Sequence, residues 1–104
     1  MSATGREGTV PLRETETWQH AARQSFAAVC ALALDPGPLQ ERLEGACDAL
    51  LGLESREIPA PLREEFGTLI AALTAIDDLP TLSDDAAATL ARRMLAFHER
   101  VLLL

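Results

Sequence analysis

Apolar positions along this chain recur at spacings of three and four, the period of a helix buried on one side. Trp18, Ala22, Phe26, Val29 and Ala33 mark the first such series, and it predicts a helix over 13–34. Thr15 or Thr17 is a candidate N-cap, with Glu14 and Glu16 near the positive end of the dipole. After Phe26 the segment is apolar nearly all round, as expected of a helix covered on more than one side. Asp35-Pro36-Gly37-Pro38 cannot continue it, since two prolines bracket a glycine. Leu39, Leu43, Ala46, Leu50 and Leu53 predict a second helix that starts at Pro38 and fades through Ser55 to Ile58. Pro59-Ala60-Pro61 restarts the chain, and Leu62, Phe66, Leu69, Leu73 and Ile76 predict a third helix, with Pro80 beyond its end. Ser83, followed by Asp84 and Asp85, is a helix start. The fourth helix is expected to run to about Leu103 and to carry two apolar seams. One is Ala87, Leu90, Met94, Phe97, Val101 and Leu104; the other is Ala91, Leu95, His98 and Leu102.

Four helices joined by short, proline-rich turns predict an all-α fold, a small four-helix bundle over 13–104. Positions 1–12 have no periodicity and are expected to form a disordered tail. Composition agrees with the fold class. Leu and Ala each occur 18 times, Tyr is absent, and Phe and Trp total four, so sheet-forming residues are scarce.

Charge narrows the function classes. The formal net charge is −7. Phosphate neutralisation by basic residues dominates nucleic-acid binding, so direct nucleic-acid recognition is not expected. All nine basic residues are Arg, with no Lys and no Asn, which suggests a GC-rich and hence bacterial coding sequence. The first ten residues have no long apolar run and do not read as a signal peptide. The longest apolar stretch, Phe26 to Leu34, is far short of the roughly 20 residues needed to span a bilayer. A cytoplasmic protein with reduced thiols at Cys30 and Cys47 is therefore expected, with no membrane partner.

No residue constellation points to catalysis, a metal or a cofactor, and the chain is not expected to be an enzyme. Cys30 and Cys47 lack CxxC spacing. His98-Glu99 has no second His four residues on, which fails the helical zinc-protease pattern. Asp77, Asp78, Asp84 and Asp85 flank a loop that contains Pro80 and no Gly, unlike a calcium loop. Gly5 to Gly8 lacks the preceding strand and the Lys of a phosphate loop.

The apolar surplus is more informative. Val101-Leu102-Leu103-Leu104 cannot all point into a four-helix core, and exposed apolar patches mark interfaces. A helical protein–protein interaction module is expected, homodimeric and non-catalytic, acting as an adaptor or regulator. Its interface is expected at Phe26, Val29, Leu90, Met94, Leu95, Phe97, Val101 and Leu102, rimmed by Arg92 and Arg93. The alternative is a small acidic inhibitor that imitates nucleic-acid charge, with Glu41, Glu44 and Asp48 on one helical face and Arg42 beside them. A carrier of apolar ligands is a third option, although small cores rarely spare the volume.

Overall fold

The computed structural model describes residues 16–104, and the expected tail over 1–12 lies outside them. The element order is α1 (Ser2–Leu34, described from Glu16), α2 (Leu39–Leu51), α3 (Arg63–Thr74) and α4 (Asp84–Leu102). Short 3-10 turns at Ser55–Glu57, Ala60–Leu62 and Leu79–Thr81 connect them, and no strand occurs among the described residues. The fold is all-α, a small helical bundle, and none of its described helices is long and apolar enough to cross a membrane.

The breaks fall where proline and glycine put them. Gly37 takes φ +101°, a conformation L side chains rarely adopt, and it reverses the chain after α1. Arg42 then reaches back. Its Nη1 donates to the carbonyl of Leu32 at 2.7 Å and its Nε to that of Gly37 at 3.1 Å. One of the orphan carbonyls at the end of α1 is thereby satisfied from the next helix. Pro38 is the N-cap of α2 rather than its first helical residue, and its carbonyl accepts from the amides of Glu41 and Arg42. Ser83 caps α4 as expected, its hydroxyl accepting from the Ala86 amide at 3.1 Å.

Hydrogen bonds show how the helices run. Gln24 Nε2 donates to the Ala49 carbonyl, as in an antiparallel α1–α2 hairpin. Trp18 bonds near the end of α4 and Ser25 bonds further up it, so α1 and α4 are also antiparallel. Gln40 Nε2 donates to the Leu82 carbonyl and to Asp84 Oδ1, tying the start of α2 to the start of α4. Phe66 and Phe97 pack with ring centroids 5.6 Å apart, which sets the first turns of α3 against the last turns of α4. The core between these elements includes Leu43, Leu50, Ile58, Leu69, Leu73, Met94, Phe97 and Val101, all fully buried.

The rotation of α1 differs from the one its large apolar residues predict. Ala21, Ser25, Ala28 and Leu32 form the buried stripe. Trp18, Ala22 and Val29 are only half-buried, and Phe26 and Ala33 are exposed. A shift of one position turns a helix by about 100°. Small side chains on the inner face explain the choice, because they let α1 lie close to its neighbours. At the α1–α2 contact, a Cβ added to Gly45 would lie 3.5 Å from the Ala31 Cβ and 3.0 Å from Asp35 Oδ2. The turn of α1 leaves little spare room at Ala21, which is fully buried. Ala21→Leu is therefore expected to cost about 1–3 kcal/mol of folding free energy through overpacking. Ala27→Leu, on the exposed side, should stay within about 0.5 kcal/mol. Urea denaturation of both variants checks this, and the reverse ranking would contradict the rotation described here.

Candidate interaction surface

Turning small residues inward leaves the bulky ones on the flank of α1, next to α4. Trp18, Ala22 and Phe26 line one wall of an open groove of about 470 Å³, and His98 and Leu102 line the other. Gln19 and Arg23 stand at its polar edge. Phe26 is 55% exposed and Leu102 is 53% exposed, although both are large apolar side chains. Leu95, at 45%, lies two turns before Leu102 on the same stripe of α4. Leu103 and Leu104 follow at the end of that helix and are also exposed.

Three hydrogen bonds hold the groove together. Trp18 Nε1 donates to the Val101 carbonyl at 2.6 Å, so the indole covers one of the last carbonyls of α4 while its ring faces the groove. Ser25 Oγ lies 2.6 Å from His98 Nδ1 and donates to the Ala22 carbonyl at 3.2 Å. The Ser25 hydroxyl and the His98 imidazole share one short hydrogen bond, whose direction follows the imidazole tautomer. The Phe26 and His98 rings pack at 5.9 Å with a 40° tilt.

The Ser25–His98 pair invites comparison with a nucleophile and its base. Ser25 is 1% exposed, so its hydroxyl is closed to a substrate. No carboxylate bonds to the imidazole among the described residues, so nothing fills the third place of a triad. The pair works as a tie between α1 and α4. Burial lowers the His98 pKa below its ordinary value near 6.5, which favours the neutral ring. Cys47 is buried, and its thiol is pushed up by that burial and by the neighbouring Asp48 carboxylate, which keeps it protonated and unreactive. Cys30 is a free thiol, half-buried on α1.

The structure divides the interface expected from the sequence. Phe26, Leu95 and Leu102 are on the surface, and Val29 is half-buried. Leu90, Met94, Phe97 and Val101 belong instead to the chain's own core, because that seam of α4 packs against the other helices. Arg92 is exposed beside Leu95. Arg93 is not on the rim: it is half-buried on the other side of α4, with Glu65, Leu69, Ala96 and Arg100. Sequence reasoning missed Trp18 and His98 as groove residues. Ser25, a hydroxyl directly before the all-apolar part of α1 and on the same stripe as Ala21, Ala28 and Leu32, was the available signal for a buried polar contact.

No family model, curated protein or solved structure matches this chain.

The His98 environment sets a pH dependence. Its pKa is lowered in the folded chain, so the unfolded chain binds the proton more readily. The stability it contributes is present above pH 6.5 and is lost as pH falls through the lower, folded value. The stability advantage of the native chain over His98→Gln is expected to shrink between pH 7.5 and 5, measured by urea titration at each pH. An advantage that grows with acid would mean that the fold prefers the charged ring.

Proposed function

We propose that this chain is a non-catalytic, homodimeric interaction module of the cytoplasm, an adaptor or regulator whose docking surface is the apolar flank of α1 and α4. The observation that carries it is the exposed row of Phe26, Leu95 and Leu102 beside an open, aromatic-lined groove. Exposed side chains of this size are costly to leave in water, and aromatic ones are typical of recognition sites. The row is also built on rigid helices and braced by Trp18 and Ser25, so docking demands little ordering. A second copy of the chain is the occupant favoured by symmetry, because an isologous contact buries the same row on both partners.

A second reading draws on one specific observation. Arg42 is turned into the end of α1, where it is spent on the Leu32 and Gly37 carbonyls. Glu41, Glu44 and Asp48 therefore form an exposed acidic row on α2. An inhibitor that mimics nucleic-acid charge would use that row, and its binding would collapse with added salt. Apolar docking would resist salt.

Leu95→Glu and Leu102→Glu separate the two. Both residues are exposed, so helicity by circular dichroism should be unchanged and stability should move by no more than about 0.5 kcal/mol. Each change acts twice in a symmetric dimer, so the dissociation constant is expected to rise about a hundredfold or more in sedimentation equilibrium. Association that is unaltered in both variants would remove this surface from consideration.

A further inference from the structure

The outward stripe of α4 carries a charge pattern that matches itself in reverse. Ala88, Arg92, Leu95, Glu99 and Leu102 follow one another at spacings of four and three, so they share one face of the helix. Leu95 and Leu102 supply its apolar surface. Arg92 and Glu99 are both exposed, and neither forms an ion pair or a side-chain hydrogen bond among the described residues. They stand seven positions apart, about 10.5 Å along the helix, too far to neutralise each other. By contrast, Arg100, one residue on, is already paired with Glu65 at 3.4 Å.

We infer that the partner on this surface is a second copy of the chain whose α4 runs antiparallel to the first, with Arg92 of each copy facing Glu99 of the other. The inference rests on the self-association proposed above and assigns its geometry. The midpoint of positions 92 and 99 falls between Leu95 and Ala96, so a two-fold axis there places the two Leu95 side chains together at the centre. The two reciprocal ion pairs then flank that apolar centre, as in a polar rim. A parallel arrangement would set Arg92 against Arg92 and Glu99 against Glu99, and like charges facing each other suppress that mode. Phe26, beside His98 on the flank of the stripe, extends the covered apolar area.

Charge reversal tests the pairing. Arg92→Glu and Glu99→Arg each turn two attractions into two repulsions, and each is expected to raise the dimer dissociation constant about tenfold or more. An equimolar mixture of the two single variants restores opposite charges at both contacts, as does the double variant R92E/E99R. Both are expected to recover association to within about threefold of the native chain at low salt. Sedimentation equilibrium reads all five samples, and circular dichroism confirms that the exposed substitutions leave the helices intact. If the native chain dimerises but neither the mixture nor the double variant recovers, the pairing is wrong and the docking surface stands. If the native chain is monomeric throughout, and Leu95→Glu changes nothing, self-association itself fails and this geometry fails with it.

Discussion

The close approach of α1 to its neighbours is the constraint from which the rest of the molecule follows. Ala21, Ser25 and Ala28 are almost completely buried, and together they present very little bulk to α2 and α4. Close packing yields dense dispersion contact from small groups, but it leaves no space inside for large side chains from the same helix. Trp18 and Phe26 are therefore displaced to the flank, where they meet α4 from the side. The groove is a consequence of the packing choice and not a separate addition to the fold.

Polar ties fix this arrangement where apolar packing alone would allow α1 to rotate or slide. Trp18 holds the end of α4, Ser25 holds His98 one turn earlier, and Gln24 holds the end of α2. Arg42 locks the other end of α1 through the Leu32 carbonyl. Each is a side chain on one helix that serves a polar group on another, so each specifies both distance and register. Among the buried side-chain polar atoms described, none is left without a hydrogen-bond partner. That full satisfaction lets a thin core define a single arrangement. It also fixes the shape of the surface beside the ties, with the Ser25 hydroxyl sealed inside.

Most of the fold was legible in the sequence because the helix boundaries depend on local chemistry. The Pro36–Pro38 segment, Pro59, Pro61, Pro80 and the Ser83 cap each act within a few residues, and each falls at a boundary in the structure. The 4-3-4-3 apolar rows of α2 and α3 likewise mark most of their buried faces, to which the structure adds Gln40 and Cys47 on α2. On α1 the signal was ambiguous. Apolar residues surround the helix after Phe26, and the choice of face was decided by size complementarity with α2 and α4, which no local pattern encodes. A polar residue, Ser25, occupies a core position there, so counting apolar residues pointed to the adjacent stripe. The same limit applied to α4. Its two seams are evident in the sequence, but which one packs inside depends on the placement of α1 and α3, so the expected interface mixes Leu90, Met94, Phe97 and Val101, which pack inside, with Leu95 and Leu102, which do not. The groove residues Trp18 and His98 are neighbours only because α1 and α4 are antiparallel, a relation between segments more than 70 positions apart.

The central claim is that the Leu95 face of α4 meets its own copy. Isotope-filtered NOE spectroscopy on a mixture of labelled and unlabelled chain tests it most directly, since only contacts between copies are detected. The account predicts intermolecular NOEs between the Leu95 methyls of the two copies, and between the Leu102 methyls of one copy and the Ala88 methyl of the other. Intermolecular NOEs confined to α2, or none at concentrations where the native chain sediments as a dimer, would contradict it.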